Sequence, residues 1–235
     1  MSEVSPTEGP EARRYVRGHY SGVLATLSQR LGGYPFGSIV PFVLDHDAAP
    51  VILVSRLAEH TKNMEADARA SLFVHDTSED VQSGARLTLA GDARRIDDGA
   101  IAKRYLRYHP DAERLLALGD FGFFRIAPMF VRHIAGFGAI RSITPARYAP
   151  PANALASVED EFIAGLNASE RALLAACSRA RTGRMPESVA LAGIDVDGFD
   201  LRADGRLARF NFPAIVTDLA GIRGAIASVA EGKSG

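Results

Sequence analysis

The stretch VILVSRLAEHTKNMEADARASLFV, from Val51 to Val74, decides how the chain is interpreted. Its first four residues, Val51–Val54, form an apolar run that predicts a buried strand, and Ala70–Val74 predicts a second one. A short helix is expected between them, over Glu59–Asp67. Hydroxyl, amide and cationic side chains collect where the first strand ends and this helix begins: Ser55, Arg56, His60, Thr61, Lys62 and Asn63.

These six side chains predict an anion pocket. The amides of a first helical turn have no partner within the helix, and the helix dipole favours negative charge there. A ligand carrying a group such as phosphate or sulfate is therefore expected. The alternative is a strand–helix–strand connector with a solvated polar surface. In that case Arg56 and Lys62 should form ion pairs with acidic neighbours and leave no open site: Glu59, Glu65 or Asp67.

Length and charge limit the class of protein. The chain has 235 residues, 47% of them hydrophobic, which is enough for one large domain or two small ones with real cores. Its net charge of −1 provides no overall basic field, so nucleic acid is not an expected partner. No apolar run is long enough to span a membrane, and the first residues lack the apolar core of a signal peptide. A cytoplasmic protein without a membrane partner is therefore expected.

Cysteine and histidine usage gives no sign of a metal site. The single cysteine, Cys177, excludes an internal disulfide framework, and its alanine- and leucine-rich surroundings predict a buried structural thiol. The six histidines show no HxH or HExxH spacing, and His19 and His75 are interpreted as rim residues beside strands. His133 is expected to face inward. No catalytic residue can be assigned, because catalytic sets are assembled in space rather than in sequence.

Short β-rich segments separated by turns dominate the chain as far as Ile134. Many short strands with helices only as inserts predict a β-barrel rather than a parallel sheet. Pro41 interrupts the second strand and predicts an edge or a bulge, because proline cannot donate to a strand ladder. Residues 1 to about 9 are expected to be disordered, and Asp97 is expected to cap a helix that runs to about Tyr108.

A change of pattern follows the stretch PARYAPP, residues 145–151, which is interpreted as a linker. Beyond it the sequence predicts two helices, three short strands and a final helix. We therefore predict a barrel domain over residues 1–148 and a small C-terminal α/β domain over residues 149–235. The small domain is expected to be structural or partner-binding rather than catalytic. Its aspartates are expected to serve turn geometry alone: Asp195, Asp197, Asp200 and Asp204.

Several motifs occur in an order that resembles a known family. They are GVLATLS (22–28), GYPFGS (33–38), SRLAEHTKN (55–63), DARAS (67–71), YLRYHP (105–110), GFG (136–138), GIDVDG (193–198) and FNFP (210–213). Together they resemble the haem-utilisation proteins of the HugZ type, within the pyridoxamine 5′-phosphate oxidase-like, FMN-binding split-barrel superfamily. The resemblance covers nearly the whole chain. It implies a homodimer of six-stranded split β-barrels of the FMN-binding type, each followed by a small α/β domain.

The resemblance also implies a ligand and a site. In the superfamily, flavin lies in a groove at the dimer interface, and a Ser/Thr-Arg-Lys segment after the third strand meets its phosphate. Those positions correspond to Ser55, Arg56, Thr61 and Lys62. The family implies a haem- or FMN-binding protein of haem or iron utilisation. If the protein is an enzyme, the family implies an oxidoreductase, either a haem-degrading oxygenase or an FMN-dependent oxidase or reductase.

Two features differ from the family pattern. Where the oxidases carry an arginine and a lysine on the second strand, this chain has FGSIVPF, Phe36–Phe42. HugZ-type enzymes take the axial haem ligand from a histidine in a C-terminal extension, whereas this chain ends in AEGKSG. Three functions stay open: a haem-binding or haem-degrading protein, a flavin-dependent oxidoreductase on a small substrate, and a cofactor-free dimeric binding or regulatory module. The intact Ser55–Asn63 segment favours the first two, and the two differences favour the third.

Aromatic residues near the end of the predicted barrel give a separate reason to expect a dimer. The set is larger than one small barrel needs: Phe121, Phe123, Phe124, Phe130 and Phe137. An apolar, two-fold symmetric interface through the barrel is therefore expected.

Overall fold

The computed structural model describes residues 7–76, 83–136 and 139–232, and the statements on the fold refer to these residues. The chain divides into two compact units, residues 1–150 and 151–235, which we call the barrel domain and the small domain. Within the described ranges, no helix is both long enough and apolar enough to cross a membrane.

Antiparallel strands build the barrel domain. They are β1 (Ser21–Leu27), β2 (Pro35–Leu44), β3 (Pro50–Ser55), β4 (Arg69–His75), β5 (Arg86–Ile96), β6 (Phe121–Ile134) and β7 (Ile140–Ile143). Their order is β3-β2-β1-β4-β5-β6-β7, and β3 also pairs with β6. Six strands therefore close into a barrel, and β7 continues the sheet beyond β6. The six-stranded split barrel predicted from the sequence is confirmed.

Strand alternation explains why one side of the sheet becomes the core. In β5, Leu87, Leu89 and Ala93 are buried and alternate with half-exposed residues, as expected for a strand with one face inside. Pro41 is the last β2 residue paired with β1, and pairing with β3 begins at Phe42. Residues 35–41 of β2 thus have β1 as their only strand partner among the described residues. This agrees with the edge predicted at Pro41.

Five helices of the barrel domain connect or cover these strands. They are α1 (Glu8–Arg17), α2 (Glu59–Ala66), α3 (Gly99–Tyr108), α4 (Ala112–Leu116) and α5 (Pro145–Tyr148). The cap of α3 is Asp98 rather than the predicted Asp97. The Asp98 carboxylate accepts hydrogen bonds from the amides of Ala100 and Ile101 at 2.9 and 3.2 Å, which satisfies two donors that the helix leaves unpaired.

Two expectations about irregular segments are corrected in part by the structure. Helix α1 begins at Glu8, so the expected disorder does not extend to residue 9, and residues 1–6 lie outside the described ranges. The predicted linker at residues 145–151 contains α5. Tyr148 of α5 is buried, its hydroxyl donates to the Ala48 carbonyl at 3.1 Å, and its own carbonyl accepts from Arg13 Nη1 at 2.9 Å. Residues 145–148 are therefore a packed part of the barrel domain, and the division between the two units falls at the end of the stretch, between Pro150 and Pro151.

The small domain packs helices on a three-stranded antiparallel sheet. Its elements are α6 (Leu155–Ser169), α7 (Arg171–Thr182), β8 (Val189–Asp195), β9 (Gly198–Ala203), β10 (Arg206–Asn211) and α8 (Leu219–Ala230). Asp204 and Gly205 have φ values of 48° and 78°, which is the geometry of a tight hairpin turn between β9 and β10. The predicted fold class, a split barrel followed by a small α/β domain, is confirmed.

A buried ion cluster lies in this small sheet. Arg209 Nη1 is 2.7 Å from Asp195 Oδ2 and 2.9 Å from Asp200 Oδ2, and Arg209 Nη2 donates to Asp195 Oδ1 at 2.7 Å. All three side chains are at most 5% exposed. The expectation that these aspartates serve turn geometry alone is therefore wrong for Asp195 and Asp200, which neutralise a buried guanidinium.

Candidate functional site

The predicted site lies where β3 ends and α2 begins, and we call residues 55–63 the α2 segment. Ala58 has an extended backbone, with φ −68° and ψ 144°, and the helix starts after it at Glu59. Thr61 and Lys62 therefore lie in the first turn of the helix. Met64 of α2 belongs to the barrel core, which fixes one side of this helix against the barrel.

The buried half of the α2 segment holds the helix in place. Thr61 and Asn63 are fully buried. The Thr61 hydroxyl donates to the Ser55 carbonyl at 2.6 Å. Asn63 accepts from the Gln29 amide at 3.1 Å and donates to the Thr26 hydroxyl at 3.0 Å. Because these side chains are already used inside the protein, their role in the structure is to position the segment.

Ser55 and Arg56 connect the segment to the loop before β6. The Ser55 hydroxyl donates to Asp120 Oδ2 at 2.6 Å and accepts from the Leu57 amide at 3.1 Å. The Arg56 amide donates to the Asp120 carbonyl at 2.7 Å, and Arg56 Nη2 lies 3.4 Å from the Gly119 carbonyl oxygen. The pairing of β3 with β6 therefore continues past the strand ends and fixes the backbone of the site.

The cations of the segment face outward. Arg56 and Lys62 are exposed, and neither makes an ion pair within the described residues. Of the acidic residues nearest in sequence, Glu65 lies 4.0 Å from Arg95 and Asp67 lies 2.5 Å from Arg69, while Glu59 makes no ion pair among the described residues. Hydrogen bonds from Arg69 lower the pKa of Asp67 to about 2. The ion pairs expected of a closed connector are thus not found in this part of the chain.

His60, in the first turn of α2, is half-buried and faces β2. Its Nδ1 lies 3.2 Å from the Ser38 hydroxyl, and burial lowers its pKa below the ordinary 6.5. A neutral imidazole is therefore favoured at pH 7, and it can donate or accept a hydrogen bond with a ligand. Through Ser38, the segment reaches the edge half of β2.

Exposed apolar side chains lie beside Arg56. Leu57 is 76% exposed and follows Arg56, and Leu118 is 68% exposed and precedes Gly119, whose carbonyl oxygen faces Arg56. Single exposed leucines are common on protein surfaces, whereas neighbouring ones form an apolar patch of the kind found at binding sites. The α2 segment therefore presents positive charge next to apolar surface, which suits a ligand that is itself part apolar and part anionic.

Other candidates from the sequence have structural roles. Cys177 is fully buried and burial raises the pKa of its thiol to about 11, so the predicted structural thiol is confirmed. His133 is 4% exposed, its ring centroid lies 5.1 Å from that of Tyr15, and burial is the largest factor lowering its pKa. In the part of the chain that the structure describes, no group of three or more His, Cys, Asp or Glu residues could hold a metal ion.

Comparison with known proteins covers both domains. Residues 7–150 match the family described as CREG, beta-barrel. The non-canonical heme oxygenase HOZ, chloroplastic, of Arabidopsis thaliana is 41% identical over 138 residues, which are 57% of this chain. The match spans 42% of that relative, less than half of its length.

Two solved structures are similar over almost the whole chain. A protein of unknown function from Agrobacterium tumefaciens is 27% identical with a TM-score of 0.76, covering 96% of this chain and 98% of that one. The heme binding protein from Mycobacterium smegmatis is 30% identical with a TM-score of 0.57, covering 98% of both chains. With its barrel matched from residue 7 to residue 150, the chain belongs to the CREG β-barrel family, and its resemblance to the HugZ-type split-barrel proteins is confirmed.

Proposed function

We propose that this chain is a haem-binding protein of haem or iron utilisation, with the split barrel as its ligand-binding domain. The observation that carries the proposal is the similarity to the heme binding protein of Mycobacterium smegmatis, which extends over 98% of both chains. The similarity to the plant heme oxygenase supports it over 138 residues. A haem-degrading oxidoreductase activity stays a prediction.

The α2 segment fits one end of such a ligand. Haem combines an apolar macrocycle with two carboxylates. The segment combines the exposed Leu57 with two cations that have no ion-pair partner in the described residues, and the exposed Leu118 lies in the loop that Arg56 contacts. We propose that Arg56, His60 and Lys62 contact the ligand. Ser55, Thr61 and Asn63 then hold those side chains in place through the internal hydrogen bonds described above.

FMN is the second candidate ligand. Its phosphate suits the same cations and the amides of the first turn of α2. The stretch Phe36–Phe42 on β2 carries no cation, whereas the flavin oxidases of the superfamily place two there. We therefore rank haem above FMN, and a cofactor-free binding module third.

An absorption titration of the purified full chain tests this order. With ferric haem we expect a Soret band that differs from that of free haem and saturates with added ligand. With FMN we expect no change in the flavin spectrum beyond dilution. A protein that saturates with FMN but not with haem would reverse the ranking, and a protein that binds neither would favour the cofactor-free module.

We also propose a homodimer through the outer face of the barrel. On that face Ile39, Val23 and Phe73 form one row across β2, β1 and β4. Its exposed apolar residues include Ile39 at 82%, Phe130 at 43% and Ile140 at 57%. Exposed apolar surface of this kind is typical of protein interfaces.

The aromatic set predicted for this interface is placed differently from expectation. Phe123 and Phe124 are buried within the barrel domain at 7% and 2% exposure, and Phe121 is half-buried. Phe137 lies outside the described residues. Of the set, Phe130 supports the proposed interface, and aliphatic residues supply the rest of the apolar surface.

Light scattering after size exclusion tests the dimer. The full chain is expected at about twice its 25.1 kDa mass at micromolar concentration. The double variant Ile39→Lys, Phe130→Lys should be monomeric, because two charges on each protomer would be buried without partners. Met185→Lys, at a residue of the small domain that is 60% exposed, is the control and should stay dimeric. A monomeric parent chain, or a dimer that survives the double substitution, would contradict the proposal.

A further inference from the structure

A cleft of about 580 Å³ lies in the small domain, between the end of α7, the loop that follows it and the β9–β10 hairpin. Leu201, Ala208 and Phe210 supply apolar walls. Leu201 pairs with Ala208 across the hairpin, and Phe210 shares their face because it lies two residues beyond Ala208. A volume of this size with apolar walls and a few polar groups is typical of a small-molecule site.

The end of α7 forms a fixed wall of this cleft. Gly183 has a left-handed backbone with φ 74°, and its amide donates to the Arg179 carbonyl at 2.8 Å, which ends the helix. The Thr182 hydroxyl donates to the Ser178 carbonyl at 2.9 Å and accepts from the Arg184 amide at 3.3 Å. These bonds hold the start of the loop against the last helical turn, so the wall is formed before a ligand arrives.

Three arginines line the cleft: Arg181, Arg184 and Arg206. Arg181 Nη1 donates to the Arg209 carbonyl, and the Arg181 guanidinium carbon lies 5.3 Å from the centroid of the Phe210 ring. Arg181 is therefore oriented by the protein itself. Arg184 and Arg206 are exposed, and neither side chain makes a hydrogen bond or an ion pair within the described residues.

Helix electrostatics explains only part of this positive charge. Cations in the last turn of a helix interact favourably with its dipole, and Arg179 and Arg181 lie in the last turn of α7. Arg184 lies beyond the end of the helix, and Arg206 is the first residue of β10. The stability of α7 therefore gives no reason for these two cations to lie at the same cleft.

The other polar groups of the cleft leave room for an anion. Glu187 and Asp204 also line it, but Asp204 Oδ1 already accepts from the Ser188 amide at 2.9 Å. Three arginines and two carboxylates give the described lining an excess of positive charge. Ser178 is 5% exposed, and its hydroxyl has no hydrogen-bond partner among the residues that the structure describes. A buried hydroxyl without a partner is uncommon, and it can serve a ligand as donor or acceptor.

We infer that this cleft binds a small molecule that joins an aromatic ring system to a carboxylate, phosphate or sulfonate group. The ring would lie against Ala208 and Phe210, because apolar walls favour burial of apolar surface. Arg184 and Arg206 would meet the anion, since a planar guanidinium can donate two parallel hydrogen bonds to such a group. The site uses residues of the small domain alone, so it does not depend on the haem-binding function proposed for the barrel domain.

A matched pair of dyes tests the inference on the full chain. The anionic dye is 8-anilinonaphthalene-1-sulfonate, whose fluorescence rises in apolar surroundings, and the neutral dye is N-phenyl-1-naphthylamine, which has the same rings without the sulfonate. The anionic dye should bind saturably and more tightly than the neutral one. Amide chemical shifts of the isotopically labelled chain should change at residues 178–187 and 201–210 when the anionic dye is added.

Replacing the cleft arginines should weaken binding of the anionic dye selectively. We expect Arg184→Gln and Arg206→Gln each to raise its Kd by about three- to tenfold, because each removes a charged hydrogen bond at a solvent-exposed position. Binding of the neutral dye should not change. Arg179→Gln is the matched control, because it removes an exposed arginine of α7 that does not line the cleft, and it should bind like the parent chain.

Three results would overturn the inference. One is a set of shift changes confined to the barrel domain, which would place the dye elsewhere. Another is equal binding of the two dyes together with parent affinity in both arginine variants, which would show that the cleft does not select an anion. The third is an equal loss in Arg179→Gln, which would indicate a general effect of net charge. None of these results bears on haem binding, because no barrel residue takes part in the site.

Discussion

Replacing Arg209 with methionine is expected to lower the free energy of unfolding of the small domain by about 3–5 kcal/mol. The guanidinium is 5% exposed and contacts Asp195 and Asp200, whose side chains are 1% and 2% exposed. Without it, two carboxylates would stay buried beside each other with no cation. Arg209→Lys should also destabilise, because an ammonium cannot reproduce the paired hydrogen bonds from Nη1 and Nη2 to Asp195.

Hydrogen exchange followed by mass spectrometry can measure this loss of stability in the small domain. The small domain, residues 151–235, contains no tyrosine or tryptophan, so intrinsic fluorescence reports on the barrel domain alone. Peptides from β8, β9 and β10 should exchange faster in the variant, while barrel peptides should keep their parent rates.

Arg223→Ala provides the matched control for the loss of stability expected when Arg209 is replaced. It breaks an ion pair with Glu170 in the same domain, but the two side chains are 54% and 35% exposed. An exposed pair of this kind is typically worth about 0–1 kcal/mol. Equal effects of the Arg209 and Arg223 substitutions would contradict the view that the buried cluster stabilises the small domain.

The barrel could be predicted because its signals are local. Alternation of apolar residues, turn residues and the position of Pro41 each depend on a few neighbouring residues, and they indicated the six strands of the barrel but not β7. The PARYAPP stretch misled because composition does not show packing. Tyr148 belongs to the barrel through contacts with Arg13 and Ala48, each at least 100 residues away in sequence.

The buried cluster could have been found from the turn that the sequence did indicate. With Asp204-Gly205 as a two-residue hairpin loop, Ala203 pairs with Arg206, and counting outward pairs Asp200 with Arg209. Opposite charges directly across two strands are a recognisable signal. The register does not show whether the two side chains are buried, and their burial determines how much the pair contributes to stability.

The candidate site was also predictable only in part. The residue types of the α2 segment were evident, but Asn63 bonds to Thr26 and Gln29, which are 37 and 34 residues away, and no local pattern reports such contacts.

The second large effect is expected in the α2 segment. Lys62→Ala should weaken ferric haem binding by about 1–3 kcal/mol, the range for hydrogen bonds to charged groups. Arg56→Lys should also weaken it if the guanidinium makes a paired contact with a carboxylate. Because both cations are exposed, the loss should shrink as salt is raised, since exposed charges are screened over about 8–10 Å at physiological ionic strength. Titration of each variant at low and high salt measures this.

Lys103→Ala is the control for the change in net charge, because it removes an exposed lysine from α3. Its haem affinity should match that of the parent chain. If Lys62→Ala and Arg56→Lys also bind like the parent, the α2 segment is a solvated connector. If both weaken binding, the cations hold the carboxylates of the ligand, and the exposed charge at the start of α2 is explained by ligand binding rather than by folding.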